Sequence, residues 1–378
     1  MYARSSMAKA QGIYHQMKIS LKKILYNTFS LLFFLTAFWF ILYTITHSEF
    51  WDFNVFYSSA KTALSGGNIY RTYGQYHLPY WYFPWVSWFF IPFVIFPFEA
   101  AKITYMIVTF LSVLITIRSI GLYFNAQLSL GNQMLITAMS ILICWLLFRV
   151  GQTDFILVAL ITVMIFWIDK KQNIQAGLLF PILLFKPHLL IIFIPFAILR
   201  GGKSFFLSAS LSVILLSIAA FILIPNWPTE MLRMLNESGL RVDNTWGFTT
   251  LPALIGREEN WSGTANIPIT IILILVAFIT VWKNQHLATI PFLILALAMS
   301  LLCAPRAYSY NFPFLIPALL WLTVENTALT ILFWVGLTIL SFATNFSTGA
   351  YFIVVITCAL SFLKTRKLYR LQTGLKPI

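Results

Sequence analysis

The sequence predicts an all-α integral membrane protein with about 12 transmembrane helices. Its 378 residues are 60% hydrophobic, 17% aromatic and only 10% charged. Soluble domains carry about 25% charged residues, so this chain has too few charges to cover a water-soluble globule. Its apolar residues also form unbroken runs of about 20, whereas the strands of an outer-membrane barrel alternate. The composition therefore excludes a soluble enzyme, and the apolar runs favour membrane helices over an outer-membrane barrel.

The first apolar segment, 24–45, is predicted to be the first transmembrane helix. Lys18, Lys22 and Lys23 precede it, and positively charged flanks stay in the cytoplasm. Residues 1–23 are therefore expected to form a cytoplasmic N-terminus. The segment is longer than the core of a signal peptide and lacks a small-residue cleavage site, so we expect it to be retained.

Two later segments decide the topology. Residues 79–98 contain four prolines and many aromatic rings, which favours broken helices in the membrane interface over one spanning helix. Residues 174–199 contain Pro181, Lys186 and Pro187, which favours a hairpin. Each arm would have about 13 residues and reach roughly 20 Å, short of the roughly 30 Å hydrocarbon core. The apex of the hairpin is therefore expected within the outer leaflet.

Charge counting supports this topology but leaves one alternative open. The chain has 25 Lys and Arg against 11 Asp and Glu. With 80–98 re-entrant and 174–199 a hairpin, most basic residues and both termini face the cytoplasm, as the positive-inside rule requires. If 80–98 alone spans, the basic residues divide about evenly, which the rule rejects. If 80–98 spans and 174–199 is one helix, the excess of Lys and Arg on the cytoplasmic side is restored, so this topology stays open.

The preferred topology gives one integral domain over residues 1–378, in the plasma membrane. Residues 46–80 and 225–267 are its two long outer loops, and 364–378 is a cytoplasmic tail. No internal repeat of the kind found in many transporters is visible.

The start of the first outer loop carries the most informative pattern. Apolar residues from Phe53 to Leu64 follow helical spacing, and Gly66-Gly67 is a natural stop. We therefore expect a short amphipathic helix on the outer membrane surface. Asp52 lies at its start, where it either caps the helix or acts as an acid or base. Composition alone favours the cap.

Two polar clusters follow at outer helix ends. Gln152 and Asp154 separate two membrane segments, where they either bind polar groups of a ligand or form a solvated turn with Asp154 as a cap. Lys186 lies at the hairpin apex, with His188 beside it. A buried lysine is costly and usually has an anionic partner, so anion binding is favoured over snorkelling to the surface. A structural ion pair with Asp154 is the alternative role for Lys186.

A third cluster contains Arg306 and Tyr308. Arg306 either binds phosphate or anchors the helix end at the interface. No Cys and His spacing suggests a metal site, and there is no glycine-rich phosphate loop. No metal or cofactor is therefore expected.

Taken in order, these motifs resemble the GT-C membrane glycosyltransferases over about residues 30 to 320. The closest resemblance is to the bacterial polyprenyl-phosphate-mannose-dependent α-mannosyltransferases, glycosyltransferase family 87. The motifs that carry it are Asp52, Tyr57, Gly66-Gly67, Tyr70, Tyr82-Phe83-Pro84, Gly151-Gln152 and Lys186-Pro187. The resemblance implies a GT-C-like fold with juxtamembrane helices in the first outer loop. Ala304-Pro305 stands where the family often has Ser-Pro, so the resemblance does not imply a hydroxyl role there.

The resemblance also implies a function. It predicts inverting transfer of a hexose, mannose in this family, from a polyprenyl-phosphate donor to a lipid, glycan or protein acceptor outside the plasma membrane. Membrane lipids are partners and nucleic acid is not. Polyprenyl phosphate is already a good leaving group, so one base and a few cations suffice. The expected roles are general base for Asp52, phosphate binding for Lys186, Arg306 and His188, and substrate binding for Tyr57, Tyr82, Gln152, Asp154 and Tyr308.

Two other functions stay open on sequence grounds. A flippase or transporter of lipid-linked saccharides would need charges along a central route, which are scarce here. A polysaccharide polymerase or ligase would have large arginine-rich outer loops. The loop 225–267 permits that function but contains only Arg233, Arg241 and Arg257.

Overall fold

The computed structural model describes residues 2–71, 78–124, 130–237, 266–304, 307 and 309–323, with 356–357, 360 and 363–364. Every regular element within these residues is helical, as the composition predicts. The helices are α1 (Tyr2–His47), α2 (Trp51–Leu64), α3 (Pro84–Trp88), α4 (Ile91–Val94), α5 (Phe98–Tyr123), α6 (Leu130–Ile143), α7 (Trp145–Val150), α8 (Asp154–Asp169), α9 (Asn173–Leu178), α10 (Phe180–Leu183), α11 (Phe193–Leu223), α12 (Trp227–Glu237), α13 (Asn266–Lys283), α14 (Thr289–Cys303) and α15 (Ile316–Thr323). Short 3₁₀ turns occupy Ile69–Arg71, Pro187–Leu189 and Ser309–Leu315.

Among the described residues, three helices are long and apolar enough to cross a membrane: Ile24–His47, Phe98–Tyr123 and Phe193–Leu223. The third contains a break, because Gly202 has φ 64° and ψ −161°, which is not helical. The part after Gly202 still has about the 20 residues that a span needs, and its leucine and phenylalanine side chains are largely exposed. The total of about 12 crossings stays a prediction. The expected segments 327–345 and 349–363 lie almost wholly outside the described residues.

Residues 80–98 form no single helix. They contain α3 and α4, which are five and four residues long. At about 1.5 Å per residue, neither approaches the roughly 30 Å of a bilayer core. Pro84 and Pro92 lie in the first positions of these helices, where the missing proline N–H leaves no bond unmade.

The helix predicted after the first span is α2, but its apolar face meets protein. Phe53, Phe56 and Ala60 are buried, and the Phe56 and Phe90 rings stack with centroids 4.4 Å apart. The aromatic segment 80–98 covers this face, because ring-on-ring packing removes the same apolar area from water. The location of α2 at the outer membrane surface stays a prediction.

Residues 174–199 contain no continuous helix either. The chain runs through α9 and α10, turns at the Pro187–Leu189 3₁₀ segment and enters α11. Gly177 in α9 lies against α11, because a Cβ there would be 2.0 Å from Ser208 Oγ and 2.5 Å from the Phe205 carbonyl oxygen. Lys186 occupies the turn between the two arms.

The two predicted outer loops contact each other. Arg71, at the end of the turn after α2, pairs with Glu230 of α12 at 2.6 Å. Arg233 pairs with the same carboxylate at 3.0 Å. Hydrogen bonding to Arg71, joined by Arg233, lowers the pKa of Glu230 to about 2. The rest of the second loop, 238–265, lies outside the described residues.

The helices have a strongly basic end. Lys170 and Lys171 follow α8, and Lys283 ends α13. Arg200 donates to the carbonyl oxygens of Gln285 and, at 2.8 Å, Leu287. The starts of α2 and α8 and the turn with Lys186 lie at the other end of the helices.

Candidate functional site

The site begins at the junction between α1 and α2. Phe50 is the N-cap residue of α2, in a left-handed backbone conformation with φ 51°, and no side chain caps the helix. Asp52 lies in the first helical turn, so it is not the cap that composition favours. Its carboxylate turns instead toward the loop between α7 and α8.

Gly151 brings that loop against α2. Its φ is 73°, in the left-handed region that favours glycine. A Cβ at this position would lie 2.7 Å from Phe53 Cβ and 2.8 Å from Phe50 Cδ1. Only a residue without a side chain therefore permits this approach, which sets Gln152 beside Asp52.

A chain of hydrogen bonds then crosses the site. Gln152 Nε2 donates to Asp52 Oδ2 at 2.7 Å. Lys186 Nζ donates to Gln152 Oε1 at 2.9 Å and to Asp154 Oδ1 at 2.5 Å. Asn311 Nδ2 donates to the second oxygen of Asp154. Four separate parts of the chain, from α2 to the Ser309–Leu315 turn, thus meet in one polar network.

The network is largely shielded from solvent. Gln152, Asp154 and Lys186 are 2%, 0% and 5% exposed, while Asp52 is partly exposed at its edge. Burial raises the pKa of Asp52 to about 6, although the Lys186 charge and the Gln152 hydrogen bond act in the opposite direction. A carboxylate with a pKa near neutrality suits general base catalysis.

The structure thus joins four of the predicted site residues, namely Asp52, Gln152, Asp154 and Lys186. Lys186 pairs with Asp154 at 2.5 Å, which is the ion pair that the sequence left open as the alternative to anion binding by Lys186. Asn311 was not predicted. An amide within the apolar run 309–323 was the available signal, because polar side chains in such runs usually bond to other helices.

The other predicted residues have different contacts or lie outside the described residues. Tyr57 donates its hydroxyl to the Phe96 carbonyl oxygen at 2.8 Å. The Tyr82 ring packs 5.0 Å from Phe56, and His188 is exposed in the turn after Lys186. Arg306 and Tyr308 fall outside the described residues.

A second buried lysine was also missed. Lys102 of α5 is 6% exposed and pairs with Glu99 at 2.8 Å. Its ammonium lies 5.3 Å from the centre of the Phe50 ring. Within the described part of the chain, no three His, Cys, Asp or Glu side chains are grouped as metal ligands would be.

Comparison with known proteins gives one match. Residues 80–305, more than half of the chain, match the sequence model of glycosyltransferase family 87. Neither a curated protein nor a solved structure matches the chain. The matched region contains Gln152, Asp154 and Lys186, whereas Asp52 precedes it and Asn311 follows it.

Proposed function

The chain belongs to glycosyltransferase family 87, and we propose that it transfers a hexose, mannose, from a polyprenyl-phosphate donor to a lipid, glycan or protein acceptor. The observation that carries this proposal is the hydrogen-bonded contact between Asp52 and Gln152, which places a carboxylate with a raised pKa beside a buried lysine. One base and one cation match the needs of transfer from a lipid phosphate.

In the proposed reaction, Asp52 is the general base. Its carboxylate removes the proton of the acceptor hydroxyl as the acceptor oxygen forms a bond to the anomeric carbon. The bond from that carbon to the phosphate oxygen breaks, and its electron pair leaves with the polyprenyl phosphate. Attack from the face opposite the leaving group inverts the anomeric centre. The leaving group is already an anion of low basicity, so it needs no proton from a general acid.

Lys186 is proposed to bind the donor phosphate. Its charge would offset the negative charge that grows on the leaving oxygen, so the contact strengthens in the transition state. Asp154 and Gln152 hold the ammonium in place. Because Asp154 and Gln152 bond to other side chains of the site, we propose that they position Lys186 and Asp52 for the substrate. Arg306 and His188 would assist at the phosphate.

Aromatic rings are proposed to bind the apolar and sugar parts of the substrates. Tyr57 and Tyr82 belong to the cluster of aromatic rings in and around α2, the helix that bears Asp52. Tyr308 is proposed to contribute from the third polar cluster. Aromatic faces bind both isoprenoid chains and the C–H faces of sugars through dispersion and apolar burial.

The site is proposed to face outward from the plasma membrane, with both termini cytoplasmic. Support comes from charge, since the opposite end of the helices carries Lys170, Lys171, Arg200 and Lys283 with few acids. Lys and Arg in the short turns at one end of the helices hold that end in the cytoplasm.

A transfer assay in membrane vesicles tests the proposed function. We expect radiolabelled mannose to move from polyprenyl-phosphate mannose into a larger product when the protein is present. Labelled donor that crosses the bilayer unchanged would identify a flippase. Transfer only from diphosphate-linked oligosaccharides would identify a polymerase or ligase, and either result would overturn the proposal.

A further inference from the structure

Two buried hydroxyl groups beside the polar network make no hydrogen bond to any described residue. Tyr105 in α5 is 0% exposed and Thr153, at the start of α8, is 2% exposed. Neither Tyr105 Oη nor Thr153 Oγ1 has a partner within the described part of the chain. Buried polar groups are nearly always paired, because an unmade hydrogen bond costs stability.

Other buried tyrosines in this protein do find partners. Tyr80 donates its hydroxyl to the Phe83 carbonyl oxygen at 2.7 Å, and Tyr70 donates to the Tyr82 carbonyl oxygen at 2.9 Å. Thr109, one turn along α5, donates its hydroxyl to the Tyr105 carbonyl oxygen at 2.9 Å, and it makes no hydrogen bond to the Tyr105 hydroxyl by geometry. The vacant hydrogen bond of Tyr105 is therefore a local feature of the site.

Both residues adjoin the segments that carry the polar network. The Tyr105 ring stacks on Phe53, the neighbour of Asp52, with centroids 4.4 Å apart. Thr153 directly links Gln152 to Asp154 in the chain.

The chemistry of the two hydroxyls selects the ligand. Phosphate is bound best by charged donors such as Lys or Arg, whereas Tyr105 and Thr153 supply neutral hydroxyls. A neutral ligand with several hydroxyl groups suits the position, because hydroxyls both donate and accept. The transferred sugar has this chemistry.

We propose that the Tyr105 and Thr153 hydroxyls bind hydroxyl groups of the sugar on the donor. This inference rests on the proposed function, and it separates a sugar subsite at Tyr105 and Thr153 from a phosphate subsite at Lys186. The binding of the sugar would complete the hydrogen bonds that the free protein leaves unmade.

Binding of two short soluble ligands tests this division. One is citronellyl phosphate bearing mannose, and the other is citronellyl phosphate without sugar. The purified full-length protein is compared with the Tyr105→Phe and Thr153→Val variants, each of which removes a hydroxyl and keeps the shape. Lys186→Met serves as the phosphate-site variant. Tyr80→Phe is the matched control, since it loses a buried tyrosine hydroxyl with a protein partner.

We expect Tyr105→Phe and Thr153→Val each to weaken mannosyl ligand binding about 3- to 10-fold, the range for one neutral hydrogen bond. Neither should change the affinity for the sugar-free ligand or lower the melting temperature. Lys186→Met should weaken both ligands. Tyr80→Phe should lower the melting temperature and leave both affinities unchanged.

Three results would overturn the inference. Unchanged affinity in both hydroxyl variants would mean that the hydroxyls do not contact sugar, while binding by the wild type would leave the proposed function standing. An equal loss for both ligands would place the phosphate there instead. If the wild type binds neither ligand, the proposed donor fails and the sugar subsite fails with it.

Discussion

Gln152 connects the two charged groups of the site through the two ends of one amide. Its nitrogen donates to Asp52 and its oxygen accepts from Lys186, so the amide orientation is set by both partners. A glutamate would lose the donor to Asp52, and an alanine would lose both contacts. Gln152 is therefore expected to lower the pKa of Asp52 as well as to hold its carboxylate in position.

The pH dependence of transfer tests this tuning. Burial raises the pKa of Asp52 to about 6, and the Gln152 hydrogen bond lowers it. Because only the ionised carboxylate can take a proton, the rate should fall as the pH drops through about 6. Removing the hydrogen bond in Gln152→Ala should raise the pKa and move this acid limb to higher pH.

The comparison requires pH profiles of kcat/KM for the wild type, Gln152→Ala and Gln172→Ala. Gln172 is exposed at the basic end, so its replacement should leave the profile unchanged. An acid limb that stays in place or moves to lower pH in Gln152→Ala would contradict the proposed link between Gln152 and Asp52.

Sequence reasoning could identify the charged residues of the site but not all of their partners. Asp52, Gln152 and Lys186 stand out because polar residues at the ends of apolar runs need a reason to be there. The pairing of Lys186 with Asp154 depends on a turn that brings residues far apart in sequence together. Tyr105 carries no such signal, since an aromatic residue in an apolar helix is ordinary.

At the level of elements, proline and glycine gave the most reliable information. The prolines of 80–98 predicted broken helices, and the structure contains α3 and α4 there. The break at Gly202 falls just after the end of the predicted hairpin 174–199. Both residues act through local backbone geometry, which short sequences encode directly.

Element ends and contacts were harder to predict. The first helix runs from Tyr2 to His47, well beyond the predicted 24–45, because polar residues after Met1 extend a helix as readily as apolar ones. The apolar face of α2 could equally have met lipid or protein. Contact with lipid and contact with protein remove the same apolar surface from water. Only the tertiary arrangement of residues 80–98 decides which of the two contacts forms.

At the level of the whole molecule, the proposed topology requires the site and the basic turns to lie on opposite sides of the membrane. Asp154 and Asp169 mark the two ends of α8. Cysteine labelling in intact cells can locate each end. Gly151 is unsuitable for a probe, because any side chain there would collide with Phe50 and Phe53.

Arg149 and Lys170 are exposed near the two ends, and their cysteine variants make a matched pair. The background should lack Cys144, Cys303 and Cys358. An impermeant maleimide is expected to label the Arg149→Cys variant from outside and the Lys170→Cys variant only after the membrane is opened. The reverse pattern would place the site in the cytoplasm and contradict the outward-facing proposal.

The central claim is that the Asp52 carboxylate takes the proton from the acceptor, and the most direct measurement is mannose transfer by purified Asp52→Asn protein. Asparagine keeps the shape and can still accept the Gln152 hydrogen bond, but it cannot take a proton. Glu49→Gln, at an exposed acid three positions earlier, is the control. We predict a loss of about 10²–10⁴ in rate for Asp52→Asn, with unchanged folding and a normal rate for Glu49→Gln. Transfer by Asp52→Asn at near the wild-type rate would contradict the claim.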